Sequence, residues 1–176
     1  KFEDHSGWLR PAFYAQTGES EEETIAREVN AARQEVVLFD SSSLGKIEVH
    51  GPDAQEFLNR LYINNVKSLK PGRLRYGMML NENGTIIDDG VFGCFAPDHY
   101  LVTTSSAGAV DIPFWMEEWL QTEWPDLDVY VTPQTAQWAT LALSGPKARQ
   151  VLSALDLSVD LSADGFPHMT FRETEW

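Results

Sequence analysis

The stretch YGMMLNENGTIIDDGVFGCF, Tyr76 to Phe95, reads as two strands joined at Asn81-Glu82-Asn83-Gly84. An Asn-Gly pair supplies the positive φ values that a tight reversal needs, and the runs on either side are apolar and β-prone. The second arm carries adjacent carboxylates, Asp88 and Asp89, where β-propensity favours neither. Successive strand side chains point to opposite faces, so Ile87, Asp89 and Val91 share one face and Ile86, Asp88 and Phe92 the other. Two acids so placed cannot act on one atom; at most one faces a pocket. Charges set against local preference point either to function or to a solvated edge strand blunted against further pairing.

Working outward, the chain of 176 residues is 43% hydrophobic and 11% aromatic, enough for one sizeable core or for two small lobes. A formal charge of −14 repels phosphate backbones and anionic headgroups, which argues against nucleic-acid and membrane-surface partners. A small anionic ligand in a local basic patch remains compatible with it. The single cysteine, Cys94, rules out an internal disulfide and a multi-cysteine metal site, and it falls on the apolar side of the hairpin as a small hydrophobe. No apolar run approaches a membrane span, and KFEDHSGWLR at the start has no secretory character, so the expected address is cytoplasmic. A fragment or a processed chain reads the same way, and residue 1 is not methionine.

Residues 1–20 hold Gly7-Trp8-Leu9-Arg10-Pro11 and Phe13-Tyr14 before a polar linker, and are expected to form an irregular arm that docks through its aromatic rings. From Glu21 to Arg33, Ile25, Val29 and Ala32 have helical spacing, and Glu21 to Glu23 sit where the helix dipole favours acids. Val36 to Asp40 and Lys46 to His50 read as strands. Gly51-Pro52-Asp53-Ala54 turns into a helix with Ala54, Phe57, Leu58 and Leu61 in one stripe. The same device returns after an apolar strand at Trp138 to Leu143, where Gly145-Pro146-Lys147-Ala148 opens a helix with Val151, Leu152 and Leu155 inward. GPDAQEFL and GPKARQVL suggest a duplicated strand-turn-helix unit, the other reading being a common turn used twice by chance. Between the copies lie strands at His99 to Thr103 and Leu127 to Val131, and a helix from about Ser106 to Gln121 with Val110, Phe114 and Trp119 inward. The class is α+β, with helices packed on largely antiparallel sheets. Asp164 to Arg172 reads as a turn entering another strand, yet Trp176 is the last residue, so the second module looks incomplete.

A Gly-x-Gly-x-x-Gly run, a P-loop, a His-Glu-x-x-His helix and a Gly-x-Ser-x-Gly elbow are all missing. His5, His50, His99 and His168 fall on different elements without ligand spacing, so no metal site is expected. Ser41 to Ser43 make a turn or a cap rather than a nucleophile, because no base can be assigned to them. Tyr76, opposite the acidic arm, can stack on a flat heterocycle or serve as a core tyrosine.

Gly7-Trp8-x-x-Pro11-x-x-Tyr14, Phe39-Asp40-x-Ser42, Leu69-x-x-Gly72, Tyr76-x-x-Met79-Leu80 and Gly84-x-Ile86-x-Asp88-Asp89 occur in the order seen in the glycine-cleavage T-protein (aminomethyltransferase) family, which the chain resembles over residues 7–171. The strings Leu44 to Val49, Phe57 to Arg60, Gly72 to Tyr76 and Gln137 to Ala139 look most like the C-terminal folate-binding region of heterotetrameric sarcosine oxidase alpha subunits. The resemblance implies a fold of ferredoxin-like duplicated strand-turn-helix units, with residues 1–20 a docking arm and residues 21–176 the N-terminal, incomplete part of an aminomethyltransferase folate-binding domain. It implies tetrahydrofolate as cofactor, transfer of a one-carbon unit from an iminium derived from an N-methyl amine, other sarcosine oxidase subunits as partners, and flavin only on those subunits or domains. Asp89 matches the family's pocket carboxylate, Tyr76 a folate-contact tyrosine, and Leu44 and Val91 apolar folate contacts; Asp88 is assigned to structure. A carboxylate between Ile87 and Val91 is expected to be partly desolvated and so more basic. Further folate contacts of the family, a glutamate and an arginine, belong to a half that this chain lacks, which leaves a non-catalytic folate-binding or assembly module, or an inactive fragment, as the alternatives.

Overall fold

The computed structural model describes residues 1–175; Trp176, on which the incomplete second module was expected to stop, lies outside the described residues. In chain order the elements are β1 (Phe2–His5), β2 (Trp8–Pro11), α1 (Glu21–Gln34), β3 (Val37–Asp40), β4 (Gly45–His50), α2 (Ala54–Leu61), β5 (Arg73–Leu80), β6 (Ile86–Ala96), β7 (His99–Thr104), α3 (Gly108–Thr122), β8 (Tyr130–Pro133), β9 (Leu141–Ser144) and α4 (Ala148–Ser153), with a short 3₁₀ turn at Thr135–Gln137. They fall into two compact units, one of Ser42–Trp138 with Pro167–Arg172, the other of Lys1–Ser41 with Ala139–Phe166 and the last residues from Glu173.

The first unit is built on a five-stranded sheet in the order β5-β6-β7-β4-β8, antiparallel throughout, which is the α+β arrangement expected. The β5–β6 hairpin forms, but positive φ comes from Gly84 alone, at 77°. Asn81 replaces the second such residue: its side chain accepts from the backbone N–H of Asn83 and of Thr85, each at 3.0 Å. Alternation along β6 then buries Asp88, Phe92 and Cys94 and exposes Asp89. Ile47 and Val49 of β4, Phe57 and Leu58 of α2, and Met79, Phe92, Tyr100, Val102 and Met116 make one core, each 0% exposed. On α2 the predicted stripe of Ala54, Phe57, Leu58 and Leu61 is buried.

On α3 the expected stripe is right for Trp119, which packs half-buried against the core, and wrong for its other two members. Val110 is 63% and Phe114 72% exposed, while Ala109, Ile112, Pro113, Met116 and Leu120 are buried. This helix is apolar on most of its circumference, so spacing offered two stripes, and packing over β4 and β8 selected the other. Pro113 lies in the second turn and gives up one helical hydrogen bond. Two strand expectations also shift: β8 begins only at Tyr130, and residues 164–172 provide a single bridge, Thr170 to Arg73.

In the second unit the expected irregularity of residues 1–20 holds only for residues 12–20. β1 and β2 pair in register through a two-residue turn with positive φ at Ser6 and Gly7, and Phe2, Trp8, Leu9 and Tyr14 are exposed. Ser20 caps α1 with a reciprocal pair of bonds, Glu23 N–H to Ser20 Oγ at 3.3 Å and Ser20 N–H to Glu23 Oε2 at 2.9 Å. The Arg27 guanidinium clamps Glu19 at 2.7 and 2.9 Å and donates to the Tyr14 carbonyl at 2.7 Å, which ties the linker onto the helix. Thr24 is the buried residue of α1, and Ile25 and Val29 are exposed; Val151 and Leu155 around α4 are exposed too, against the expectation that they face inward.

The two glycine-proline turns are one device built twice. Gly51 and Gly145 have φ of 131° and 121°, and a Cβ on either would collide with a backbone carbonyl, that of Asp128 or of Glu35. Two residues after each glycine, an N–H donates to that same carbonyl: Asp53 to Asp128 at 3.4 Å and Lys147 to Glu35 at 3.1 Å. Asp128 and Glu35 each stand two residues before the strand, β8 or β3, that pairs with the strand entering the turn. Matching φ, acceptor and register favour duplication over chance reuse of a turn.

Candidate functional site

Tyr76, Asp89 and Val91 come together on one face of β5 and β6. Tyr76 is the register partner of Val91, and Asp89 that of Met78, so Tyr76 and Asp89 are diagonal neighbours on that face. The Tyr76 hydroxyl donates to Asp89 Oδ2 at 2.7 Å. That bond, followed by partial burial and the Asp89 charge, raises the pKa of the phenol, so the proton stays on tyrosine and the carboxylate is held by a donor. The other Asp89 oxygen, Oδ1, makes no hydrogen bond among the described residues. Tyr76 is 48% exposed and the aspartate is exposed too, which corrects the expected desolvation: Ile87 does not cover the acid, being exposed itself, and Val91 is only half-buried. Leu44 is not in this group. It precedes β4, two strand spacings or about 9.6 Å from β6, at the end of the sheet where Asp88 lies.

Asp88 is the structural acid it was expected to be. Only 4% exposed, it accepts from the backbone N–H of Asp89 at 2.7 Å, from the Ser105 N–H at 3.0 Å and from the Ser105 hydroxyl at 3.1 Å. Ser105 Oγ in turn accepts from the N–H of Gly108, the first residue of α3. The buried acid therefore fixes the backbone of its exposed neighbour and the start of the helix together. Thr103 does similar work on the other side, since its Oγ1 accepts from Val91 N–H at 2.9 Å and donates to the Val91 carbonyl at 2.8 Å. Ser43 Oγ lies 2.9 Å from Ser106 Oγ with no basic partner, consistent with a turn.

Behind the site, the Tyr62 ring fills the space where Gly77 lacks a Cβ and packs on Phe92 with centroids 4.8 Å apart. Its hydroxyl is buried and unpartnered among the described residues; burial, and then the nearby Asp88 charge, push its pKa far above the ordinary phenol range. An apolar groove of about 480 Å³, lined by Ala109, Val110, Phe114, Val131 and Pro133, lies between α3 and β8, away from Asp89. Spacing also missed that His50 and His99 face each other across β4 and β7 beside Glu48, because their sequence separation hides a register that only strand pairing creates. No helix among the described residues is long and apolar enough to cross a membrane.

Comparison with known proteins places the chain as a whole. The sarcosine oxidase subunit alpha of Corynebacterium sp. (strain U-96) is 50% identical over 173 residues, 98% of this chain and 18% of that protein. The aminomethyltransferase of Thermotoga maritima is 33% identical over 174 residues, 99% of this chain and 44% of that protein. The crystal structure of glycine cleavage system aminomethyltransferase T from Bartonella henselae superposes with a TM-score of 0.81 at 26% identity, covering 97% of this chain and 42% of that one. The chain thus spans less than half the length of these relatives. The sequence family described as the GCVT N-terminal domain matches residues 1–176, and this chain belongs to that family.

Proposed function

We propose that this chain is the N-terminal part of a folate-binding domain that carries out tetrahydrofolate-dependent one-carbon transfer, within a protein like the sarcosine oxidase alpha subunit or an aminomethyltransferase. The observation that carries the reading is the 2.7 Å hydrogen bond from Tyr76 to Asp89, on an exposed face shared with Val91. A phenol ring, an aliphatic side chain and a carboxylate with a spare acceptor oxygen suit a flat heterocycle that presents N–H donors. Tyr76 and Val91 would hold that ring, and Leu44 would add an apolar contact from the sheet end. Bound tetrahydrofolate supplies the nitrogen that takes up the carbon unit. Asp89 attracts the cationic aminomethyl or iminium donor and receives a proton at Oδ1, while Tyr76 keeps the carboxylate aimed. One such preorganised charge contributes about 3 kcal/mol to the transfer step. Flavin chemistry and the remaining oxidase subunits belong to other chains or domains in this reading. With a net charge of −14 here, those partners present basic patches and the assembly is sensitive to salt.

Titrating tetrahydrofolate into the wild type and Asp89→Asn, then measuring capture of formaldehyde-derived carbon, tests the proposal. Saturable binding by both with capture reduced about 100-fold in the variant is expected, from ~3 kcal/mol at 1.36 kcal/mol per decade. Equal binding with equal capture removes the catalytic role; no saturable binding by the wild type removes the folate reading for this chain. A second reading, an assembly module without chemistry, draws support from the exposed Phe2, Leu9, Tyr14, Ile25 and Val29 of the unit that lacks Asp89, and it predicts that Asp89→Asn changes nothing but charge.

A further inference from the structure

Glu48, His50 and His99 stand on the sheet face that carries Asp89, toward the other end of the strands. His50 and His99 are register partners across β4 and β7, and Glu48 lies two residues before His50, so alternation puts all three side chains on one face. Both imidazoles aim Nε2 at the same carboxylate oxygen, Glu48 Oε1, at 3.1 Å from His50 and 2.8 Å from His99. Their rings stack at 3.8 Å with 22° between planes, and one donor atom from each residue falls within 4.8 Å of the others. Gln134 Nε2 donates to the second oxygen, Glu48 Oε2, at 2.9 Å, and Phe95 stacks on His99 at 4.9 Å.

Ion pairing alone accounts for only part of this. Two imidazole nitrogens and a carboxylate oxygen from two different strands are gathered onto one point, which a single ion pair does not require. We propose that Glu48, His50 and His99 form a binding site for a divalent first-row transition metal, zinc foremost, with water completing the shell. Two imidazole nitrogens and one carboxylate oxygen are ligands for zinc, nickel or copper, whereas calcium and magnesium take oxygen shells. Bonds of about 2.05 Å at tetrahedral angles put donor atoms ~3.3 Å apart, so the two histidine–glutamate contacts open by a few tenths of an ångström and the stacked rings rotate out of parallel to bring both Nε2 lone pairs in plane with the ion. Gln134 orients the carboxylate from behind, as outer partners of metal ligands do. Four residues of β7, about 13 Å, separate His99 from Thr103 beside Val91, so the site lies on the same face as the proposed folate contacts but toward the other end of the strands.

The test uses the whole chain stripped of metal by chelation and titrated with Zn²⁺ by calorimetry and with Co²⁺ by visible absorption. One ion per chain is expected, bound at micromolar concentration or tighter, with the intense d–d bands of four- or five-coordinate Co²⁺. His50→Gln and His99→Gln each weaken binding at least ~10-fold and Gln134→Ala about 10-fold, while His5→Gln and His168→Gln leave it unchanged. Zn²⁺ should shift the ring NMR signals of His50 and His99 in the wild type, a reading that needs no variant to fold. Unchanged affinity in both His50→Gln and His99→Gln, signals that move at His5 or His168 instead, or no saturable Zn²⁺ binding below millimolar overturns the proposal.

Discussion

Tyr62→Phe should make this protein more stable. Tyr62 is 4% exposed and its hydroxyl has no hydrogen-bond partner among the described residues, so folding strips the group of water and returns nothing. On mutational scales an unsatisfied buried hydroxyl costs about 1–3 kcal/mol. Phenylalanine keeps the ring on Phe92 and in the space beside Gly77, so packing is retained and the expected gain is about 1–2 kcal/mol, or ~3–6 °C in Tm for a chain of this size. Urea unfolding followed by tryptophan fluorescence, to which Trp115, Trp119 and Trp124 contribute from the unit that holds Tyr62, reads the transition. The midpoint should rise with m unchanged. Alkali provides a second arm. Tyr62 and Tyr100 have folded pKa values raised above the ordinary 10.0, Tyr100 to about 12, so their ionisation leaves stability untouched below pH 10 and lowers it as pH rises above that. Each phenol adds about 1.4 kcal/mol per pH unit to that decline, so the advantage of the variant should widen above pH 10. A variant less stable than wild type by 1 kcal/mol or more at neutral pH would show that the hydroxyl has a partner and would refute the reasoning.

Asp88→Ala leaves the N–H groups of Asp89 and Ser105 without their acceptor, and a loss of about 2–4 kcal/mol is expected in thermal unfolding. Gly51→Ala and Gly145→Ala should each cost more than about 2 kcal/mol, since both combine left-handed φ with a carbonyl collision; similar losses in denaturant titrations support the duplicated turn, and a neutral result at either ends it. The Arg27 guanidinium holds Glu19 down to about 2 from an ordinary 4.5. A depressed folded pKa means that this contribution is present above pH 4.5 and is lost as pH falls toward 2, so protection factors of α1 amides, exchange rates corrected for the intrinsic pH dependence, should fall across that window in the wild type and not in Glu19→Gln.

Legibility varied with how many solutions each local pattern allowed. The hairpin at Tyr76 to Phe95 was readable because a turn signal and period-two alternation reinforce each other, and the same alternation correctly separated buried Asp88 from exposed Asp89. The stripe of α2 was readable because its other faces are polar, Gln55, Glu56, Asn59 and Arg60. For α3 that contrast is missing, and Ile112 with Met116 competed equally with Val110 and Phe114. Residues 1–11 were misread because a Ser-Gly turn between short strands is a weaker signal than Asn-Gly.

By itself the sequence determined the class, the order of strands and helices from Glu21 onward, the paired glycine-proline turns and the face on which Asp89 sits, because propensity, periodicity and special φ are properties of near neighbours. Only tertiary structure decided which flank of α3 is buried, that Tyr76 donates to Asp89, that Ser105 satisfies Asp88, and that Glu48, His50 and His99 converge. Those facts depend on register between strands 10 to 50 residues apart along the chain, and register is set by the summed burial of the whole sheet rather than by any residue in it.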